Sequence, residues 1–401
     1  MKLVQINTSV NSGSTGRIAE DIGKVMMSQG HESYIAYGRG NRPSQSNLLK
    51  IGKQWDVVHH GFKTAVFDRH GFGSVNATKA LISEIDRINP DVIGLHNLHG
   101  YYLNINVLFN YLQETEIPVV WTLFDCWAFT GHCSYFDHIN CTKWLEGCFS
   151  CPKTRKYPSS YLFDQSKRNY TDKKSIFNRV SKLHIIVHSQ WLKRLVEQSF
   201  LKSFPVHHIF SGIDLEVFKP SNDTLIIRKH HIRNKKIILG VANIWDIRKG
   251  LSVFKKLHEI FSAEHVIILV GLTRKQINEL PSGMIGIERT ESVSELAAYY
   301  SASDVFVNPT FLDNFPTTNL EALACGTPVV TYKTGGSPEA VDESTGRVVE
   351  QGDFRGLADA ITTLLNKDRD QLSAVCRKRA ELLFNKEDRY LDYLRLYEDL
   401  I

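Results

Sequence analysis

The sequence predicts an α/β chain of two doubly wound parallel-sheet domains, and three observations carry that prediction. Short apolar runs followed by a turn and then by apolar residues at helical spacing open the chain. A second series of the same kind begins at Ile237. The length, 401 residues, gives room for two domains of ordinary size, each with its own core.

Residues 2–10 alternate and then run apolar, residues 11–16 (NSGSTG) read as a flexible turn, and Ile18, Ile22, Val25 and Met26 share a helical face. A strand at 33–37 completes the start of a parallel sheet. The turn holds Gly13 and Gly16 but lacks G-x-G-x-x-G and the P-loop lysine, which argues against a dinucleotide oxidoreductase or an NTPase. Residues 91–96 (DVIGLH) form a buried-strand pattern ending on a polar residue, and ligands of open α/β sheets collect at the carboxyl ends of strands. His96 and Asn97 are placed for binding, although a lone histidine after a strand is more often a structural group satisfied by backbone partners. The strand at 118–123 ends in Phe124-Asp125-Cys126-Trp127.

Between residues 126 and 161 periodicity disappears while cysteines, aromatics and prolines accumulate, the mark of an insertion serving as a lid or acceptor wall. Cys133, Cys141, Cys148 and Cys151 are spaced C-x7-C-x6-C-x2-C, which predicts a structural zinc ion with His132 and His138 as reserve ligands and Cys126 buried. Free thiols, a disulfide and an iron–sulfur cluster are the alternatives. Residues 183–187 and 206–210 are further strands, and the polar stretch 221–236 is the expected linker. The expected division is therefore 1–220, joined by a terminal helix at 386–401, and 221–385, with strands at 237–241, 265–270 and 305–307.

Hydrophobic residues make up 42% and charged residues 23%, as in soluble globular proteins. No apolar run approaches the roughly 20 residues of a membrane span, and the first residues lead directly into a strand, so a cytoplasmic location is expected. Residues 153–202 hold twelve Lys or Arg against three acids, within a net charge of +5 for the whole chain. That surface suits an anionic membrane face or a phosphorylated acceptor, or is a solvated helical face. Aromatic-interleaved basic patterning, the sign of a nucleic-acid partner, is missing.

The stretch 302–341 is the most informative. A strand at 305–307 stops at Asn308-Pro309; Pro316 opens a helix of about three turns that Asp313 or Asn314 caps and Gly326 with Pro328 ends. The free N–H groups beside Phe315-Pro316-Thr317 attract a phosphate or diphosphate. Asp313 and Glu321 bracket that site with seven residues between them, and a carboxylate can hold a vicinal diol. Local physics equally allows Asp313 as a cap and Glu321 as a solvated group. Arg248 and Lys249, ahead of a second helix, oppose its dipole and so favour a bound anion.

The acid-x7-Glu spacing, the following Gly335, Gly336, Pro338 and Glu339, and the Lys249-Gly250 pair resemble the family-four retaining glycosyltransferases. The resemblance implies the GT-B fold, two Rossmann-like domains facing a cleft with the terminal helix crossing back to the first. It implies Glu321 as the ribose ligand and Asp313, where the family's usual residue is the longer glutamate, as the sugar ligand. Lys249 with Arg248 then meets the diphosphate, and Asn314, Phe315, Pro316 and Thr317 line the donor site. Gly271, Arg289 and Thr290 resemble the base-binding loops, Gly16 approaches the donor phosphates, His96 positions the transferred sugar, and Asn97 and Asp125 contact the acceptor. HNLHGYYLN, WTLFDCWAFTGHC and GCFSCP resemble a bacterial subgroup of capsular and exopolysaccharide (colanic-acid-like) assembly. Transfer from a nucleotide diphosphate sugar to a growing, lipid-linked glycan at the inner face of the cell membrane is the implied function. No cofactor is expected for catalysis. A nucleotide-sugar 2-epimerase and a non-catalytic sugar-nucleotide-binding subunit are the alternatives.

Overall fold

The computed structural model describes residues 1–136, 139–232 and 235–401. They form two compact units, Met1–Ile209 with Arg389–Ile401, and Phe210–Asp388. Residues 210–220, expected in the first domain, contribute Ile213, Leu215 and Phe218 to the core of the second unit. The expected linker contains a short helix, Leu225–Lys229, with Ile226 fully buried.

The first unit is built on seven parallel strands: β1 (Lys2–Asn7), β2 (Glu32–Tyr37), β3 (Asn47–Lys50), β4 (Val92–Leu95), β5 (Val119–Leu123), β6 (Leu183–Val187) and β7 (Val206–His208). Their order is β3-β2-β1-β4-β5-β6-β7, so the direction of winding reverses between β1 and β4. β4 and β5 are buried throughout, because a parallel sheet is covered on both faces. One face packs Leu3, Val92 and Val120 against Ile18, Ile22 and Met26 and against Tyr390, Tyr393 and Tyr397 of the helix Lys386–Leu400. The expected flexible turn at 11–16 is shorter than the sequence implied, since the helix Gly13–Ser28 already includes Gly16. A Cβ at Gly16 would stand 2.9 Å from Ser9 Oγ, so this glycine serves close packing of the helix on the β1 loop and not flexibility.

The second unit has six parallel strands: β8 (Lys236–Val241), β9 (His265–Val270), β10 (Ile285–Ile287), β11 (Val305–Asn308), β12 (Val329–Tyr332) and β13 (Gly346–Val349). The order β10-β9-β8-β11-β12-β13 reverses between β8 and β11. Edge strands β3, β10 and β13 are short and partly exposed, so they carry no apolar run that a sequence pattern registers. No helix among the described residues is long and apolar enough to cross a membrane.

Candidate functional site

In the second unit the predicted donor residues gather at the carboxyl ends of the strands. Lys249 ends a 3-10 turn, Ile247–Lys249, in the loop after β8, and Asp313 lies in the loop after β11. Lys249 Nζ donates to Asp313 Oδ2 at 2.6 Å, bridging the two loops of the switch point. Gly250, at φ 75°, lets this turn approach the β11 loop, where a Cβ would stand 2.5 Å from Pro309 O. Phe311 N donates to Arg248 O at 2.7 Å and closes the same contact. The Arg248 guanidinium instead holds Asp246, with Nη2–Oδ2 at 2.7 Å.

The helix after this loop, Thr317–Ala324, has eight residues and so falls short of the expected three turns. Pro316, and not the expected Asp313 or Asn314, occupies its cap position. The Asp313 carboxylate is engaged by Lys249 at the N-terminal side of this helix. One turn in, Glu321 is 8% exposed, so it is not the solvated group that local physics allowed. Its Oε2 accepts from the Tyr300 hydroxyl at 2.8 Å. Burial, reinforced by this carboxylate, pushes the Tyr300 hydroxyl well above its usual range, so it stays a donor and orients Glu321.

The glycine loop after β12 is fastened to the same place. Gly335 sits at φ 55°, and a Cβ there would fall 1.8 Å from Asp313 O. Ser337 Oγ lies 2.6 Å from Thr331 Oγ1, Asn319 Nδ2 donates to Ser337 O at 3.2 Å, and Asn308 Nδ2 donates to Asn319 Oδ1 at 2.8 Å. This buried chain ties the ends of β11 and β12 to the helix and fixes the site before any ligand arrives. After β9, Gly271 at φ 99° admits Ala242 O to where its Cβ would be, 1.6 Å away. Arg289 and Thr290 follow β10, the former exposed and the latter half-buried.

In the first unit, the loops after β1 and β4 meet at the other switch point. Thr8 Oγ1 donates to His99 O at 2.7 Å and to Asn97 O at 3.0 Å. His96 is buried, and its Nε2 lies 2.9 Å from Gln5 Oε1. Gln5 Nε2 already donates to Ala19 O, so the amide oxygen faces His96, Nε2 carries the proton, and Nδ1 keeps its lone pair. That Nδ1 is buried with no hydrogen-bond partner among the described residues. Burial, with His188 nearby, pushes the imidazole down to about 3, so it is neutral. Asn97 Oδ1 accepts from His99 N at 3.2 Å and shapes the loop.

Asp125 lies after β5, as expected, but its partner is a residue that sequence reasoning missed. Asp125 Oδ2 is 2.8 Å from His99 Nε2, and His99 Nδ1 is 2.8 Å from the Tyr157 hydroxyl. Rings of Trp127, Tyr157 and His70 surround His99 at 5.5 to 5.8 Å between centroids. His96, Asn97, His99, Asp125 and Trp127 line one cavity of about 20 Å³. The signal for His99 was present in H-N-L-H, a second histidine at the same strand end; Tyr300, remote in sequence from Glu321, left none.

Cys133, Cys141, Cys148 and Cys151 line a single small cavity together with His132. Cys126 is buried, as expected, and His138 lies outside the described residues. Among the described residues no three His, Cys, Asp or Glu side chains are arranged to hold a metal ion as they stand.

Comparison with known proteins agrees with this geometry. Residues 15–217 match the family model Glycosyltransferase Family 4, and residues 235–367 match Glycosyl transferases group 1. The chain is 24% identical over 369 residues to WcaC of Escherichia coli, named for colanic acid biosynthesis glycosyl transfer, covering 88% of each protein. It is 27% identical over 201 residues to the capsular polysaccharide biosynthesis glycosyltransferase CapM of Staphylococcus aureus, 44% of this chain and 50% of that protein. Sucrose-phosphate synthase from Thermosynechococcus elongatus superposes with a TM-score of 0.71 at 18% identity, covering 100% of this chain and 98% of that one. Anabaena HepE in complex with UDP-glucose superposes with a TM-score of 0.67 at 15% identity, covering 100% of both chains.

Proposed function

The chain belongs to glycosyltransferase family 4 and is a glycosyltransferase of the GT-B type, and from that premise we propose that it moves a sugar, with retention, from a nucleotide diphosphate sugar to a lipid-linked glycan of a bacterial surface polysaccharide. The observation that carries the donor half is the Lys249–Asp313 bridge beside the N-terminus of Thr317–Ala324, with Glu321 held one turn inside. In this reading Glu321 accepts from the ribose diol, and Asp313 contacts the transferred sugar. Lys249 and the helix N–H groups meet the diphosphate as its charge grows, so no metal ion enters the chemistry. The acceptor oxygen attacks the anomeric carbon, the bond from that carbon to the phosphate oxygen breaks, and the hydroxyl proton passes to the departing diphosphate. The neutral His96 accepts a sugar hydroxyl at Nδ1, and the aromatic wall around His99 with Asp125 takes the acceptor. HepE, solved with UDP and with UDP-glucose, supports a donor of this class.

The acceptor half rests on the surface of the first unit. On the helix Gln54–Phe67, Trp55, Val58 and Phe62 share an outward face, with Trp55 80% exposed. Tyr161, Leu162 and Phe163 are exposed too, and Phe163 stacks on Phe67 at 5.8 Å. A neighbouring groove of about 860 Å³ is lined by Lys63, Arg69, Lys79, Arg168 and Arg179. Exposed aromatics beside a basic groove fit the headgroup layer of an anionic membrane, so the enzyme is read as peripheral at the inner face of the cell membrane.

A thermal-shift screen of UDP-, GDP-, CMP- and dTDP-sugars tests the donor assignment, since a ligand at 100 times its Kd stabilises by about 2.7 kcal/mol. Stabilisation by one nucleotide class, followed by transfer to a lipid-linked acceptor, is expected. Stabilisation by none of the four would overturn it, and interconversion of the donor sugar without an acceptor would make the enzyme an epimerase.

A further inference from the structure

We propose that Cys133, Cys141, Cys148 and Cys151 bind one zinc ion that holds residues 126–161 in shape. Among its described residues this segment has no α-helix or strand, only short 3-10 turns such as Trp127–Phe129 and Lys143–Leu145, yet it buries Phe129, Phe136 and Trp144 in the core of the first unit. Something other than regular backbone pairing must fix it. All four cysteines line one cavity of about 10 Å³. A space of that size suits a single ion.

Backbone groups already reach two of the sulfurs. Gly131 N donates to Cys148 Sγ at 3.1 Å, and the backbone of Lys153 donates to Cys151. Cys133 and Cys151 are already hydrogen-bonded to each other. A second, independent observation is His132, whose ring is 2% exposed and lines the same cavity. Its Nδ1 is held at 2.5 Å by the buried carboxylate of Asp68, and the backbone of Lys156 reaches the same ring. Four thiolates satisfy tetrahedral zinc, so His132 is an outer contact and not a ligand. Binding deprotonates four thiols, releases the protons to solvent and leaves a site of charge −2; closure of the sulfurs onto the ion completes a geometry they do not yet have.

Untagged protein purified without added metal is analysed for zinc and then loaded with cobalt(II) for absorption spectroscopy. One zinc per chain, lost in Cys141→Ser and Cys148→Ser but retained in His132→Asn, with thiolate–cobalt charge-transfer bands, is expected. Because the serine variants can fail to fold, zinc release from the unaltered chain is also followed against thiol modification by a mercurial. Release on modification, with residues 126–161 then open to protease, supports the site. Metal-free protein that is equally protease-resistant, a Cys133–Cys151 disulfide, or zinc kept in Cys141→Ser and lost in His132→Asn would each overturn the tetrathiolate assignment.

Discussion

Lys249 Nζ and Asp313 Oδ2, 2.6 Å apart, join the loops after β8 and β11, so the cation assigned to the diphosphate and the acid assigned to the sugar hold one another before the donor binds. Both side chains are about a quarter exposed, at 26% and 21%, and such a pair contributes at most about 1 kcal/mol to stability. Lys249→Ala is therefore expected to lower kcat by about 100-fold or more while the melting temperature falls only slightly. Equal losses of activity and stability, measured by initial rates and calorimetry, would make the pair structural.

Glu321→Gln keeps the shape of the buried side chain and removes its charge. Donor binding is expected to weaken by about 1.5–3 kcal/mol, the scale of a charge-assisted hydrogen bond. Tyr300→Phe should lose a smaller part of that affinity, because it deletes only the hydroxyl that orients the carboxylate. Calorimetric titration with the free nucleotide reads both, and unchanged affinity in Glu321→Gln would remove this residue from the site.

His99→Ala is expected to raise the acceptor KM or lower kcat with little change in nucleotide affinity, since its partners Asp125 and Tyr157 belong to the same unit. Loss of nucleotide binding in this variant would contradict an acceptor role.

Stability should fall on acidification because several histidines of the first unit are buried neutral. Burial pushes His60 and His96 down to about 3 and His188 to about 4. His60 Nε2 accepts from the N–H of Gly71 and of Gly73, at 3.1 and 3.3 Å, contacts that protonation destroys. Their folded values lie below the unfolded value, so the unfolded chain binds more protons between about pH 6.5 and 3, and stability is full above that window and lost as pH falls into it. Each such group costs about 2 kcal/mol at pH 5. Denaturant midpoints identical at pH 7 and pH 5 would refute this.

Binding to anionic vesicles should require both parts of the surface around Gln54–Phe67. Trp55→Ser with Phe62→Ser is expected to abolish it at any salt, whereas the unaltered chain should bind less tightly as salt screens the basic groove. Co-sedimentation with neutral and anionic vesicles checks this; equal binding to both would argue against an electrostatic contribution.

What the sequence made legible was local. Apolar runs located the central strands, and breakers at Asn308-Pro309 and Gly326 bounded the donor helix within a turn of its observed length. The glycines of residues 11–16 misled, because a glycine required for close approach, as Gly16 is against Ser9, reads the same as one required for a turn. Asp313 could be read as a cap only while its tertiary partner was unknown. The Tyr300–Glu321 and His99–Asp125 pairs are set by which strands lie side by side, information that no periodicity carries.

Tyr390, Tyr393 and Tyr397 complete a core whose other members, Leu3, Val92 and Val120, are synthesised long before them. At about 5–20 residues per second, the second unit occupies the ribosome for roughly 10–40 s between the two. Throughout that interval the nascent first unit lacks part of the cover for one sheet face, a substrate for chaperones and a hazard for aggregation. A fragment ending at residue 388 would leave that part of the face uncovered permanently, so the first unit cannot be prepared intact by cutting the chain where the second one ends.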